Sequence, residues 1–354
     1  MSRIPVAVLG ATGTVGQKFV RLLADHPWFE IAAVAASETS AGRPYGEVVR
    51  WREPTPIPEH VAAMTIRSSQ PDTPALADAR IVFSALDASV ARPIEEGFAC
   101  AGAFVVTNTR NLRMDPDVPL VVPEVNGGHL RLLAGQRHGR GWTGGVVANP
   151  NCSTAALVLA LAPLHAAFGV ERLFVSTMQA VSGAGYPGVP SLDILGNVVP
   201  HIGGEEEKIE QETRKILGRA SDEAVTEAPV VVSAHTNRVP TIEGHLETVS
   251  VGLARRVTPG EAIAALTAFR GSERVQGLPS SPAWPIEVDA RPDRPQPRLD
   301  IERGGGMTVT VGRVRPCPLL DLRFVLLGHN TIRGAAGAAV QNAELLVAEG
   351  YVPR

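Results

Sequence analysis

A single cysteine, Cys152, lies between a Pro-Asn turn and a long apolar run in VVANPNCSTAALVLALAPL, which begins at Val146. Pro150 and Asn151 favour a turn. From Ser153 the chain is rich in Ala and Leu, which predicts a buried helix. Cys152 is therefore expected at a helix N-terminus, where partial positive charge favours the nucleophilic thiolate. A free cysteine is more often a small buried apolar residue, so other residues must support a chemical role.

Three further polar residues could act together with a thiolate. His245 opens a predicted strand in NRVPTIEGHLE, seven residues after Arg238, and Gln179 precedes a Gly-rich turn in STMQAVSGAG. A histidine can serve as the base, and an arginine can hold a charged substrate. The alternative interpretations are a surface histidine and a buried glutamine amide bonded to backbone.

A glycine-rich loop follows the first predicted strand in VLGATGTVG, with Gly10, Gly13 and Gly16. Glycines let the backbone approach a pyrophosphate, and the following helix start supplies N–H donors. The loop residues expected to contact a dinucleotide are Gly10, Thr12, Gly13, Thr14, Val15 and Gly16. The alternative is a tight βα turn without a ligand.

The end of the second predicted strand, ASETSAGR, bears on the choice of dinucleotide. NAD-binding folds usually carry an acidic residue here for the ribose 2′-hydroxyl. Ser37, Ser40 and Arg43 instead suit a 2′-phosphate, although Glu38 could serve NAD. The prediction is NADP.

The elements that position these residues alternate between strand and helix in the first part of the chain. This pattern predicts an α/β fold with a Rossmann-like, doubly wound domain over residues 1–150, completed by a C-terminal helix over 330–354. Residues 151–329 read as an α+β domain with a largely antiparallel sheet. A strand is expected over 119–126, a surface turn over 135–145, a charged helix over 203–217 and an irregular Pro-rich segment over 280–300.

Composition excludes several classes of protein. The chain has 354 residues and a formal net charge of -3, so no basic surface calls for nucleic acid or a membrane. Its three cysteines are widely spaced, which predicts neither a disulfide framework nor a metal site and favours a reducing compartment. Neither a signal peptide nor an apolar stretch of the roughly 20 residues a membrane helix needs is apparent. We expect a soluble, cytoplasmic protein.

A dinucleotide domain followed by a cysteine at a helix start favours thiohemiacetal and thioester chemistry. At this level the chain resembles the aspartate-β-semialdehyde dehydrogenases, particularly their archaeal and fungal branch. The resemblance covers nearly the whole chain and rests on GATGTVG, SALDASVA, PEVN, NPNCST, QAVSGAGYPGV, GGEEEKIEQETRKIL, RVPTIEGH and HNTIRGAAGAAVQNAELL. NPNCST together with the Gln strand and the RVP…GH segment is the specific part of this pattern.

The resemblance implies a role for each matching residue. Cys152 would be the nucleophile, His245 the acid/base and Gln179 the residue that orients the substrate. Substrate binding would involve Arg238 for the α-carboxylate, Glu205 for the amino group, and Lys208 and Arg113 for the phosphate. Glu206 and Glu207 leave the register of Glu205 open by one residue, and Arg110 competes with Arg113.

The cofactor path implied by the resemblance continues beyond the glycine loop. It would be lined by Ser84, Ala85, Asn108, Gly183 and Asn330. Some family members have an acidic residue before that last asparagine, whereas this chain has His329.

The implied reaction is NADPH-dependent reduction of 4-aspartyl phosphate to aspartate semialdehyde through a Cys152 thioester, in lysine, threonine and methionine biosynthesis. The resemblance also implies a homodimer or homotetramer, with the sheet of the second domain at the interface. Alternatives are malonyl-CoA reductase, N-acetyl-glutamyl-phosphate reductase and a nucleotide-sensing protein without catalysis. An amino-bearing substrate and a requirement for phosphate distinguish the first interpretation from malonyl-CoA reductase.

Overall fold

The first part of the chain forms a parallel sheet, as seen in a computed structural model that describes residues 3–354. Its strands are β1 (Ile4–Leu9), β2 (Phe29–Ala36), β3 (Arg67–Ser68), β4 (Ile81–Ser84), β5 (Phe104–Thr107) and β6 (Gly145–Ala148). Their spatial order is β3-β2-β1-β4-β5-β6, with each neighbouring pair parallel. Strands β2 and β3 are added on one side of β1, and β4 to β6 on the other. This change of side makes the sheet doubly wound and opens a ligand crevice between β1 and β4.

Helices cover both faces of this sheet. They are α1 (Thr14–Leu23), α2 (Tyr45–Val48), α3 (Glu59–Ala62), α4 (Ala88–Cys100), α5 (Pro123–Asn126) and α6 (Leu132–Arg140). Alternate residues of β1 enter different cores: Val8 packs with Phe19 of α1, whereas Leu9 packs in the core that contains Leu157. This two-sided burial explains why β1 is apolar at every position.

Helix α7 (Cys152–Phe168) joins the two halves of the molecule. It begins at Cys152, as predicted, because the Asn151 side chain accepts hydrogen bonds from the backbone N–H groups of Ser153 and Thr154. Leu157 belongs to one core together with Leu9 of the first sheet and Val249 of the second. Residues 155–161 of this helix are all buried and therefore have no polar face, which accounts for their apolar sequence.

The second sheet is mixed rather than antiparallel throughout. Its strands are β7 (Val170–Gln179), β10 (Val231–Arg238), β11 (His245–Leu253), β12 (Ile286–Asp289), β13 (Val309–Pro316) and β14 (Leu322–Gly328), and a separate ribbon pairs β8 (Arg219–Ala220) with β9 (Val225–Thr226). In the order β10-β7-β11-β14-β13-β12, the three central pairs are antiparallel, as expected, and the two edge pairs are parallel.

The remaining helices accompany this sheet and complete the chain. They are α8 (Ser191–Ile194), α9 (Glu205–Ile216), α10 (Pro259–Ala268), α11 (Glu273–Gln276), α12 (Pro297–Asp300) and α13 (Gly337–Ala348). Helix α9 has three glutamates in its first turn and Arg214 and Lys215 in its last, which complements the helix dipole. The structure thus confirms a helix within the predicted range 203–217.

Two local predictions are wrong. Residues 119–126 form no strand: Leu120 makes one bridge to Ala148, and Pro123, which has no N–H, begins the short helix α5. Residues 135–145 are not a turn, because α6 extends to Arg140. Gln136 anchors this helix by bonding both the N–H and the carbonyl of Val146. The Pro-rich segment 280–300 contains the strand β12 and the helix α12.

The C-terminal helix packs on the first sheet's side of the molecule. A π-helical turn over Ile332–Ala336 leads into α13, whose Ala339 and Ala343 lie in one core with Phe19 of α1. Small residues allow this close approach. The domain limits at residues 150 and 329 stay a prediction. Within residues 3–354, no helix combines the length and the apolar character needed to cross a membrane.

Candidate active site

A cavity of about 360 Å³ brings most of the predicted catalytic and substrate residues together. Its lining includes Arg110, Arg113, Cys152, Gln179, Gly183, Glu205, Lys208, Arg238 and Asn330. These residues come from the ends of β7 and β10, from loops after β5, β7 and β14, and from the starts of α7 and α9. His245 lies fully buried behind Cys152.

Cys152 and His245 form a close pair. Nε2 of His245 lies 3.1 Å from Sγ of Cys152. On the other side of the ring, the backbone N–H of Ala180 donates to Nδ1 at 3.1 Å. Nδ1 is therefore an acceptor, and the neutral imidazole carries its proton on Nε2, facing the sulfur.

Burial keeps this pair neutral in the structure. Burial raises the pKa of the Cys152 thiol to about 12, and the Glu205 carboxylate adds to this, while Arg113 and Arg238 oppose it. Burial and the Arg238 charge lower the pKa of His245 to about 3. The thiolate expected from the helix start alone is thus outweighed by burial, and ionisation needs further stabilisation.

Three strands place His245, Gln179 and Arg238 side by side. Arg238 ends β10 opposite Gln179 at the end of β7, and His245 begins the neighbouring β11. Nη1 of Arg238 donates to the Ala180 carbonyl at 2.8 Å. A Cβ atom at Gly183 would lie 2.8 Å from that Nη1, so the turn that carries Gly183 packs directly on the site.

Glu205 is the acidic residue of α9 that enters the cavity. Its Oε1 accepts from Lys208 at 2.5 Å, and its Oε2 accepts from the Asn151 amide at 2.6 Å. Glu206 instead accepts from the backbone of Thr236, and Glu207 is exposed. Although burial raises the pKa of Glu205, Lys208 and the hydrogen bonds lower it overall. Geometry thus favours the register that begins with Glu205.

Arg110 and Arg113, the two candidates for binding an anion, both line the cavity, but they differ in burial. Arg113 is buried; its Nη1 donates to Glu212 at 2.9 Å and its Nη2 to the Asn108 carbonyl at 2.7 Å. Arg110 is exposed and also borders an adjacent surface hollow. Arg113 is therefore fixed in place, whereas Arg110 lies at the mouth.

A second cavity, of about 650 Å³, lies over the glycine loop and shares Thr14, Val15 and Asn108 with the first. Of the predicted cofactor residues, it is lined by Thr12, Gly13, Thr14, Val15, Ser40, Ala85 and Asn108. Gly10 and Gly16 do not line this cavity but allow the backbone of the glycine loop to pack closely. Gly10 has φ +70°, and a Cβ atom there would lie 2.3 Å from the Ala85 carbonyl oxygen; one at Gly16 would meet the Gly10 oxygen at 2.2 Å.

Besides Gly10 and Gly16, three predicted cofactor residues line neither cavity: Ser37, Arg43 and Ser84. Ser37 is exposed and bonds Thr39, and Arg43 is exposed. Ser84 is buried and donates to Glu95. The competing acidic residue, Glu38, accepts a hydrogen bond from Ser68. The expected contacts of Ser37, Arg43 and Ser84 with a cofactor stay predictions.

Sequence reasoning missed two arginines in the cofactor cavity. Arg50 and Arg52 line it together with Tyr186, a residue of the loop after β7. The Arg52 guanidinium lies 3.6 Å from the Tyr186 ring centroid, and Arg50 donates to the Tyr186 hydroxyl at 3.3 Å. Gln17 of α1 bonds the backbone of both arginines, which brings them to the glycine loop. No motif or spacing in the sequence predicts the contact between these arginines and Tyr186.

The π-helical turn contains Gly334, which sequence reasoning missed, and it follows Asn330, which was predicted to line the cofactor path. A Cβ atom at Gly334 would lie 2.5 Å from Cβ of Cys152, so Gly334 packs directly against Cys152. Asn330, just before the turn, accepts from the Gly244 N–H and donates to the Ser182 hydroxyl. It thereby joins the loops on both sides of His245. π-Helical turns occur often at functional sites.

Comparisons with known proteins agree with this geometry. A family model described as "Semialdehyde dehydrogenase, NAD binding domain" matches residues 5–133, and one described as "Semialdehyde dehydrogenase, dimerisation domain" matches residues 161–333. An aspartate-semialdehyde dehydrogenase of Methanothermobacter thermautotrophicus is 50% identical, with 97% of this chain and 99% of that protein aligned. One of Cryptococcus neoformans is 48% identical, covering 99% and 98%.

A solved structure shows the same architecture throughout. The crystal structure of aspartate semialdehyde dehydrogenase with NADP from Candida albicans has a TM-score of 0.91 and 42% identity, covering 99% of this chain and 100% of that chain. Sequence, fold and the paired cysteine and histidine therefore agree. The chain belongs to the aspartate-semialdehyde dehydrogenase family.

Proposed function

We propose that this chain is an NADP-dependent aspartate-semialdehyde dehydrogenase. It reduces 4-aspartyl phosphate to L-aspartate 4-semialdehyde and phosphate, reversibly, in the supply of lysine, threonine and methionine. The observation that carries the proposal is the Cys152–His245 pair, 3.1 Å apart. Cys152 lines a cavity together with an acidic residue and several cations. The names of the relatives from Methanothermobacter and Cryptococcus support the same activity.

The cofactor cavity fits a dinucleotide phosphate. Thr12–Val15 surround the start of α1, where N–H groups point outward, and Arg50 and Arg52 add two cations. Crystallisation of the Candida albicans relative with NADP supports NADP here. When bound, NADPH supplies the hydride that reduces the acyl group.

Residues of the chain itself supply the nucleophile and the hydrogen bonds for the other steps. As the thiol proton of Cys152 passes to the departing phosphate, the sulfur attacks the acyl carbon and the C–O bond to phosphate breaks. A thioester on Cys152 and hydrogen phosphate remain. Once the sulfur is ionised, Nε2–H of His245 donates a hydrogen bond to it. The same N–H can donate a hydrogen bond to the acyl oxygen as negative charge develops there. The Ala180 N–H holds the ring in this orientation.

Charge complementarity supports the assignment of substrate groups. Arg238 would pair with the α-carboxylate and Glu205 with the ammonium. Lys208 and Arg113 would hold the phosphate, and Gln179, 3.4 Å from Glu205, would orient the acyl intermediate. Malonyl-CoA has no ammonium for Glu205, which disfavours that substrate.

A homodimer or homotetramer is proposed for the assembly. The dimerisation-domain match over residues 161–333 supports an oligomer. Large apolar side chains in that range are exposed in the single chain, among them Phe174, Leu192 and Leu195. Free, widely separated cysteines at 100, 152 and 317 support a reducing, cytoplasmic location.

The test is oxidation of aspartate semialdehyde by NADP, with and without phosphate. Oxidation should require phosphate or arsenate. Cys152→Ala should abolish turnover but still bind NADPH, measured by fluorescence titration, whereas Cys100→Ala should stay active. Robust malonyl-CoA reduction without phosphate-dependent semialdehyde oxidation would refute the proposal.

A further inference from the structure

We propose that Glu212 is a positioning residue that fixes the phosphate-binding arginine and the start of the nucleophile helix relative to each other. Glu212 does not line the substrate cavity, so it would act through Arg113 and Asn151. The proposal rests on the function proposed above, because it assigns the phosphate to Arg113.

The carboxylate of Glu212 makes one contact in each direction. Its Oε1 accepts from Nη1 of Arg113 at 2.9 Å, and its Oε2 accepts from the backbone N–H of Asn151 at 2.5 Å. Glu212 is only 2% exposed, so water does not substitute for either contact. Asn151 caps α7 and precedes Cys152, and holding its N–H therefore fixes where the helix begins.

Arg113 is held in a way that leaves donors for an anion. Its Nη1 and Nη2 each donate to a protein acceptor. Each of these nitrogens carries a second N–H, and the side chain lines the substrate cavity. A guanidinium oriented by two protein contacts loses little freedom when it binds phosphate.

Helix α9 holds both parts of the site from one face. Glu205, Lys208, Glu212 and Lys215 recur at intervals of three and four residues, which places them on the same side of a helix. Lys215 Nζ donates to the carbonyls of Arg113, Asp115 and Val118 at 2.7, 2.7 and 2.9 Å. The loop that carries Arg113 is thus held by its backbone and by its side chain.

Asn151 is held by the same helix at two points. Glu212 accepts from its backbone N–H, and Glu205 accepts from its side-chain amide. Any shift of α9 would therefore move the phosphate-binding arginine and the nucleophile together. This shared support is what the two contacts of Glu212 would preserve.

The near-isosteric variant Glu212→Gln separates positioning from packing. An amide keeps one acceptor oxygen but places an NH₂ donor against either Arg113 or Asn151, leaving a buried N–H unpaired. We expect the KM for phosphate to rise roughly tenfold or more and kcat to fall, because a buried unpaired donor is costly. The KM values for aspartate semialdehyde and NADP should change much less.

Glu210→Gln is the matched control. Glu210 lies on the same helix, but its carboxylate accepts from the backbone N–H of Ala234 in β10, away from the cavity. The same chemical change there should leave all three KM values unaltered. Glu212→Asp serves as the second variant, since it retains charge but is too short to reach both partners, and it should also raise the phosphate KM.

The outcomes are distinct. A folded Glu212→Gln protein with the phosphate KM of the wild type would overturn the proposal, as would an equal rise in all three KM values. Loss of the folded state in both Glu212 variants, seen by circular dichroism, would assign Glu212 to fold stability and also overturn it. A wild-type enzyme that needs no phosphate would instead refute the proposed function.

Discussion

Adding one methyl group at Gly334 should inactivate the enzyme by moving Cys152, the proposed nucleophile. The new Cβ atom would lie 2.5 Å from Cβ and 2.8 Å from Cα of Cys152. Non-bonded carbons rest at roughly 3.5–4.0 Å, so relief needs a shift of about 1 Å. Neither atom is the end of a flexible side chain. Either the start of α7 or the π-helical turn over Ile332–Ala336 must therefore move.

The size of the effect follows from this displacement. A misplacement of about 1 Å at a reacting group costs on the order of 100-fold in rate. Overpacking of this kind destabilises by about 1–3 kcal/mol. At roughly 2–4 °C per kcal/mol for units of this size, the Tm should fall by several degrees. Gly334→Ala should therefore lose far more activity than stability.

The assay compares kcat for phosphate-dependent semialdehyde oxidation with Tm from differential scanning fluorimetry. Gly139→Ala is the control, because a Cβ atom at that position on α6 would meet nothing within 4 Å. It should keep full activity and an unchanged or slightly higher Tm. If Gly334→Ala retains kcat within about twofold of the wild type, the rate argument from displacement is wrong.

Two further predictions concern the thiol and the cofactor. Because burial raises the pKa of Cys152 to about 12, its thiolate fraction should grow with pH. The rate at which iodoacetamide alkylates Cys152 should therefore rise nearly tenfold per pH unit between about 7 and 9. A plateau in that rate below about pH 8 would contradict this. Arg52 lines the cofactor cavity and Arg43 does not. Arg52→Ala should therefore raise the NADPH Kd, measured by fluorescence titration, roughly tenfold, whereas Arg43→Ala should change it little. A larger rise in Kd for Arg43→Ala than for Arg52→Ala would support the sequence prediction for Arg43.

Features set by neighbouring residues could be predicted from the sequence. The apolar run of β1 and the glycines after it are local signals for a parallel strand and a phosphate-binding turn. Asn151 before an apolar run likewise gives the start of α7 at Cys152, because capping depends on residues within one turn. These elements appear where they were expected.

Features that depend on distant partners could not be predicted in this way. Residues 119–126 look like a strand because they are apolar, yet the edge position on β5 is taken by Gly145–Ala148. Helix α6 has a polar sequence that resembles a turn, and it is anchored by Gln136 bonding Val146 and by the buried Leu132 and Leu133. In both cases tertiary contacts override the local pattern.

The same limit applies to the site. Arg50 and Arg52 reach the cofactor cavity because Gln17 bonds their backbone across more than thirty residues of chain. Arg238 and Gln179 meet through the register of β10 on β7. Residue types alone nominated Arg43 near the end of β2, where the side chain is exposed. Which cation reaches the ligand is therefore a property of the fold.

Helix α9 shows why charge patterns are hard to interpret. A sequence as polar as EEEKIEQETRKI normally predicts a solvated face, yet Glu205, Glu212 and Lys215 are all buried. Each of them has partners in the loops around Cys152, so their charges are compensated. A buried ion pair such as Arg113–Glu212 contributes little net stability compared with apolar packing. What it does provide is a fixed direction for each donor, and a site that must hold a carboxylate, an ammonium and a phosphate around one sulfur needs that directional control.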